Sequence, residues 1–583
     1  MYNSDIMTIS GACPETQYKV GVKDLTVKRK IIFLIATILL NSILTLAQAP
    51  YWEWAKSGTG TSDDTGQSIG VDASGNSYVT GYFDSQTISF GNHILTNAGS
   101  RNIFLVKYDP NGEVIWATSA GGTDNDIPGC IAVDANGNSY LTGRFYSPTI
   151  TFDTIVLYND AGSDVFVVKY DESGNVLWAR SSVGSADDWG RGISLDPFGN
   201  VYIAGGFGAP NITFGPYTLT CVGDGNVFVT KYDIYGNVLW AKAAVGDIGI
   251  GYNWANSICS DTDGNSLVSG FFQSPTITFD TITLMNANND LSSDIYIVKY
   301  NSIGNVIWAK SVGGIDADVA SSISVDSDGN AYMAGRFRSP YLTFDTITIT
   351  NDSGYMYNNI FVAKYNPEGN VLWVRAAERS NGCVIYTDSV GNSFLTGDFP
   401  GPTITFGSTT VTGSGGTDVF LVKYNASGDV LWAKCAGGAG GDYSRGVSAD
   451  AIGNPYITGF FTSLIANFDT ISLQNTSNSG YSQDFFIAKL NDVINSIPEE
   501  PFSFNNFRIY PNPANNKITI KTNRNIQDET VIHVLNINGE QILTYKFQSR
   551  NNFEMNVSTL KSGIYIVKIQ TNVGVEIKRL LIQ

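Results

Sequence analysis

The residues best placed to do chemistry in this sequence are a set of aspartates. Asp64, Asp126, Asp188, Asp318 and Asp442 each stand eight residues before a second aspartate, in the passages "SDDTG", "TDNDI", "ADDWG", "IDADV" and "GDYSR". Asn253 and Ser380 occupy the corresponding places in two further passages. Carboxylate oxygens suit hard cations, so the five aspartates are a candidate Ca²⁺ site or a surface for a cationic partner. The competing reading is that each one accepts backbone N–H bonds and fastens its own glycine-rich loop. An aromatic follows at three of these places: Trp189, Trp254 and Tyr443. Aromatic faces beside carboxylates or amides suit a sugar, which stacks and hydrogen-bonds together. They would serve equally as wedges between packed elements.

Other chemistries are limited by what the chain contains. It has two histidines, His93 and His533, separated by most of the sequence. Ser-His-Asp, Cys-His and multi-histidine metal sites are therefore excluded between them. Carboxylate or tyrosine chemistry is what remains for an enzyme, such as a glycosidase or lyase. Cys130, Cys221, Cys259, Cys383 and Cys435 are irregularly spaced with no CxxC pair, and predict neither a disulfide framework nor a zinc site. "DTDGN" (261–265) and "DSDGN" (326–330) resemble the start of a calcium loop but lack its later glutamate, and are read as turns. A net charge of −18 speaks against a nucleic-acid partner, which needs clustered lysine and arginine. A cation, a sugar or a basic protein surface remains open.

The elements that must position these residues come from a repeat. Gly-Asn-x-aromatic begins at Gly75, Gly137, Gly199, Gly264, Gly329, Gly391 and Gly453, with Leu267 the one non-aromatic, so the step is 62 or 65 residues. An aspartate lies three residues before each of these glycines. In step with them run seven lysines (Lys107, Lys169, Lys231, Lys299, Lys364, Lys423, Lys489) and seven tryptophans (Trp54, Trp116, Trp178, Trp240, Trp308, Trp373, Trp432). Each unit reads as four strands, A to D, with Asx–Gly turns joining A to B and C to D and a longer insert, a small extra hairpin, between B and C. The lysines are expected to lay their stems between units.

Such a unit is apolar on both faces and needs neighbours to cover it, which predicts blades around an axis. The seventh unit ends at "NDVINSI" with no fourth strand, whereas the chain opens on a spare one, "YWEWAK" (51–56). Pairing the two would close the ring. The expected fold is all-β: a seven-bladed β-propeller over 48–495, closed by the N-terminal strand, then a linker at 496–505 and a small Ig-like β-sandwich at 506–583.

The D-x-x-G-N-x-Y, F-x-x-K-Y and Trp-Ala-Lys pattern resembles the seven-bladed β-propeller repeat family of secreted bacterial proteins, which implies this fold and no shared catalytic motif. Tyr510-Pro511-Asn512-Pro513 with the later Gly563 and Tyr565 resembles the type A C-terminal sorting domain of the type IX secretion system. That resemblance implies the secretion machinery as a partner, with export to the cell surface or beyond. Lys28-Arg29-Lys30, the apolar run to Leu40 and the small residues to Ala47 predict a signal peptide at 1–47, too short for a membrane span. No transmembrane segment is expected in the mature chain. The expected function is non-enzymatic binding or scaffolding, of a glycan or a protein, with a carbohydrate-active enzyme as the alternative.

Overall fold

The computed structural model describes residues 49–583, apart from 209, 248–250, 289–290, 352–357, 381, 477–481, 493–506, 511–513, 515, 523–528, 537–540, 549–551, 562, 572–573 and 583. The signal peptide and the linker expected from sequence lie outside the described residues. Two compact units divide at Ile494/Asn495. The described residues hold strands and turns and no helix.

The first unit contains seven antiparallel blade sheets, six of four strands and one, begun by Trp189–Leu195, whose fourth strand Val238–Gly246 continues the pairing into the hairpin Thr276–Phe279/Ile282–Met285. Their first strands are Asp64–Val71, Asp126–Val133, Trp189–Leu195, Asn253–Ser260, Asp318–Val325, Gly382–Thr387 and Asp442–Ala449. These seven strands surround one central channel of about 1090 Å³. Seven hydrophobic clusters fill the gaps between neighbouring sheets, including the gap between the last sheet and the first, where Phe485 packs on Phe90 and Phe104. The unit is a closed propeller whose core lies between blades. The B–C inserts form the expected two-stranded hairpins, such as Thr87–Phe90 with His93–Thr96.

The ring is closed by its own N-terminus. Tyr51–Ser57 pairs antiparallel with Asp484–Asn491, Trp52 opposite Leu490 and Ser57 opposite Phe486, completing the last sheet in the order fourth, third, second, first strand. Without it, Asp484–Asn491 would present a bare edge of unpaired backbone groups.

The repeated residues lock one blade to the next. The indole N–H of Trp54 donates to the carbonyl of Pro110 at 3.0 Å, in the C–D turn of the following blade. Trp116, Trp178, Trp240, Trp308 and Trp373 repeat the bond to Glu172, Ile234, Ser302, Pro367 and Ala426 at 3.0–3.2 Å. The glycine of each such turn has φ between 79° and 85° and lies under the ring, so an added Cβ would fall within 2.8–3.0 Å of it. Glycine is thus required twice over, by its φ and by the tryptophan. The strand-C lysines reach the same carbonyls: Lys107 that of Glu172, Lys231 that of Ser302, Lys364 that of Ala426 and Lys489 that of Pro110, at 3.1–3.2 Å.

The last seam has no C–D turn to offer, because its fourth strand comes from the other end of the chain. Asp492 replaces the missing carbonyl: its carboxylate accepts from both Trp432 Nε1 and Lys423 Nζ.

Nearer the axis, adjacent first strands diverge and serine hydroxyls bridge them. Ser68 accepts from Ile131 N, Ser257 from Ile323 N and Ser322 from Ile385 N, each at 3.2 Å.

The second unit packs two sheets face to face, one containing Phe507–Tyr510, Lys517–Thr522 and Asn552–Asn556, the other Glu529–Leu535, Gln541–Gln548, Gly563–Thr571 and Gly574–Ile582. Ile518, Ile520, Ile532, Val534, Val567 and Ile569 are among its core residues.

Trp54 carries an interblade hydrogen bond, an edge-on contact with Tyr456 at 5.9 Å and the closing strand itself. Trp54→Ala should lower the unfolding free energy in urea by about 3–5 kcal/mol, the usual range for a large core aromatic.

Candidate functional site

The aspartates expected to form an acidic ring are placed otherwise. Asp64, Asp126, Asp318 and Asp442 are the first residues of their strands, and Asp188 immediately precedes its own. All five are at most 1% exposed. Asp64 accepts from Ser85 Oγ at 2.8 Å, Asp126 from Ser147, Asp318 from Ser339 and Asp442 from Ser463 at 2.7–2.8 Å. Each also accepts backbone N–H bonds from the same loop, as from Gly122 and Gly438. The described residues contain no group of carboxylates, histidines or cysteines gathered for a metal. Each of the five carboxylates is buried within its own blade, where it ties down a loop by accepting hydrogen bonds.

Asn253 makes the point by substitution. It takes the same place, exchanging bonds with Ser274 Oγ at 2.7 and 2.9 Å without a charge. A site satisfied equally by an amide and a carboxylate uses hydrogen bonding rather than charge. Burial accordingly pushes the carboxyls up, Asp64 to about 7 and Asp126, Asp318 and Asp442 to about 6, against the lowering effect of the serine bonds. Asp188 is pushed furthest, to about 8, because burial is offset only by the N–H of Gly208 at 3.0 Å. Its Oδ2 has no partner.

The three aromatics share one level of the propeller. Trp189 stands opposite Gly206, Trp254 opposite Phe271 and Tyr443 opposite Phe460. All three are half-buried. Tyr443 stacks on Phe460 at 4.8 Å. The guanidinium of Arg191 lies 4.0 Å from the Trp189 ring and 4.3 Å from that of Trp254, while Arg144 covers Trp189 at 4.0 Å. The expected open sugar platform is thus occupied by arginine, and the structure brings Trp189 and Trp254 together, 6.0 Å apart and edge to face, but not with Tyr443.

The sequence reading missed the residues that face the channel. A β-bulge interrupts the first strand of six blades: between Gly66 and Ser68, Pro128 and Cys130, Gly190 and Gly192, Ala255 and Ser257, Ala320 and Ser322, and Ser444 and Gly446. The bulged residues, Gln67, Gly129, Arg191, Asn256, Ser321 and Arg445, line the channel. A bulge leaves its extra residue outside the ladder and re-aims its side chain. The signal was available: every bulged residue stands three after the place of the buried Asp or Asn. Arg336 and Arg338, from the fifth blade, line the channel too.

In the tail, Tyr510 pairs with Thr519 and is exposed, Gly563 opens the strand opposite Ile582, and Tyr565 packs against the sandwich core with its hydroxyl on Lys561 O at 2.9 Å. Pro511, Asn512 and Pro513 of the expected sorting motif lie outside the described residues.

Comparison with known proteins agrees with this division. Residues 182–205 and 307–336 match a beta-propeller repeat family, and 508–583 match the secretion system C-terminal sorting domain. The first unit thus carries propeller repeats and the second a type IX sorting tail, which indicates export to the cell surface or the extracellular space. An uncharacterized WD repeat-containing protein of Acanthamoeba polyphaga mimivirus is 26% identical over 69% of this chain, which spans 34% of that protein's length. The Regulatory protein FlaEY of Caulobacter vibrioides is 27% identical over 18% of this chain and 12% of its own. Among solved structures, Sqt1 from Chaetomium thermophilum has a TM-score of 0.34 at 8% identity, covering 70% of this chain and 97% of its own.

Two outcomes follow from the site. An unfolded carboxyl titrates near 3.9, so the native state holds protons that the unfolded state has lost between about pH 4 and the raised values. Stability falls as pH rises through that window and levels above it. The melting temperature should drop from pH 5 to pH 8, and Asp188→Asn should raise it at pH 8 with little change at pH 5. Deleting 508–583 should leave the chain in the periplasm, scored by fractionation against the intact protein.

Proposed function

We propose that the propeller is a non-enzymatic binding or scaffolding module displayed or released outside the cell. The observation that carries this reading is the channel wall, where one backbone position repeated in six blades presents five different residue types, with arginine alone occurring twice. Binding surfaces are built in that way, from fixed elements and varied tips. A glycosidase or lyase would work with two carboxylates flanking one bond, about 5–9.5 Å apart with room for substrate. Here Asp64, Asp126, Asp318 and Asp442, the serine-bonded carboxylates of raised pKa, recur blade by blade and each closes on its own serine.

The test is a glycan-binding screen of the full secreted chain, run with Ca²⁺ and again with chelator, with product analysis of any glycan bound. The expected outcome is selective retention of unaltered glycan, unchanged by chelator and by Asp442→Asn. Cleaved product, lost with a single Asp→Asn change, would establish the enzyme instead.

A further inference from the structure

The chain carries a net charge of −18, yet among the described residues every charged one that lines its channel is an arginine: Arg191, Arg336, Arg338 and Arg445. The acidic surface favours cations outside, while the channel presents guanidiniums inside. The set is lopsided as well, drawn from the third, fifth and seventh blades.

Arg191 is the most constrained of them. It lies between Trp189 and Trp254 and donates to Asn256 Oδ1 at 2.7 Å. Burial, with Arg144 nearby, lowers its pKa to about 9. Its Nε has no partner, nor has Arg144 Nε, Trp189 Nε1 or Trp254 Nε1. Native proteins leave few buried donors unsatisfied, and of these four residues Arg191 and Trp189 stand in the channel wall. Arg445 is held by Asp398 at 3.7 Å and lies over Tyr443 and Phe460, which keeps its guanidinium at the same level.

We propose that the channel binds an acidic saccharide, a short run of uronate units, with carboxylates on Arg191 and Arg445 and hydroxyls on Gln67 and Ser321. The proposal rests on the binding-module reading and names its ligand class. Arginine's planar fork matches a carboxylate. A bare inorganic anion would use the arginines alone, whereas Gln67 and Ser321 offer uncharged partners in the same bulge layer. The channel, at about 1090 Å³, lies just above the usual range of small-molecule sites, roughly 300–1,000 Å³, which leaves room for several sugar units.

Calorimetric titration of the full chain with trigalacturonate and trimannuronate, beside neutral maltotriose and acidic hexaglutamate, tests it. A uronate trimer should bind selectively and more weakly at higher salt. Affinity should fall at least tenfold in Arg191→Gln and Arg445→Gln. Ser321→Asp, which leaves the Arg–Trp stack in place and exchanges a proposed hydroxyl partner for a negative charge, should give the same loss with normal melting. Equal maltotriose binding that ignores all three substitutions would overturn the acidic-ligand proposal and leave the binding-module reading standing. Hexaglutamate binding as tightly as the uronates would overturn it in favour of an acidic peptide. No binding of any probe by a normally melting chain would overturn it outright, and an empty glycan screen as well would confine the broader reading to a protein ligand or a scaffold.

Discussion

The structure depends on the bond between each tryptophan and the carbonyl of the next blade's turn. A four-stranded sheet with two apolar faces has no reason to stand alone, and the hydrophobic clusters between sheets supply attraction without register. The indole N–H supplies the register. It fixes how far each blade rotates past the last, because one donor meets one carbonyl across a glycine that admits the ring. A neutral hydrogen bond of this kind contributes only about 1 kcal/mol. Its larger effect is that a misplaced blade would bury an unpaired donor and an unpaired carbonyl together. The lysine sharing that carbonyl extends the same constraint to the third strand.

The closing seam shows the constraint from its exception. Joining the two ends of the chain within one blade removes the turn that every other tryptophan uses. A side-chain carboxylate, Asp492, then takes over both bonds, from Trp432 and Lys423. The circular closure and this substitution are one solution, since the N-terminal strand can complete the sheet only if something else completes the seam. In sequence, Asp492 stands in "NDVINSI" with nothing to mark it, because its role is set by a residue 60 positions away.

Much of this was legible in the sequence. Strand order, turn glycines and the spare strand at 51–56 all follow from the period and from short-range turn chemistry. The sign of the site was not. Five aspartates in step read as an acidic ring only if their side chains point outward, and the period alone does not give direction. The serine that seals four of them follows 21 residues later, beyond the second strand. Nor did the arginines stand out, since the sequence does not show that the residue three after each buried Asp or Asn is bulged out of the ladder toward one common channel.

A ring of near-identical blades separates support from function more cleanly than an irregular fold can. Whatever recurs in all or nearly all the blades answers a need every blade shares, and here that covers the tryptophans, the lysines, the turn glycines and the buried aspartates. Function must sit where the copies differ while the backbone does not. The bulge position meets that condition: six blades keep the backbone feature, and its side chain runs from none, at Gly129, to a full guanidinium, at Arg191 and Arg445. The sixth blade lacks the bulge altogether, pairing Gly382–Thr387 without interruption. An arrangement with two arginines, two amides, a hydroxyl and two gaps around one axis has no rotational symmetry left. It therefore suits a ligand with distinct ends, entering the channel in one orientation, better than a spherical ion, which a symmetric ring would hold as well.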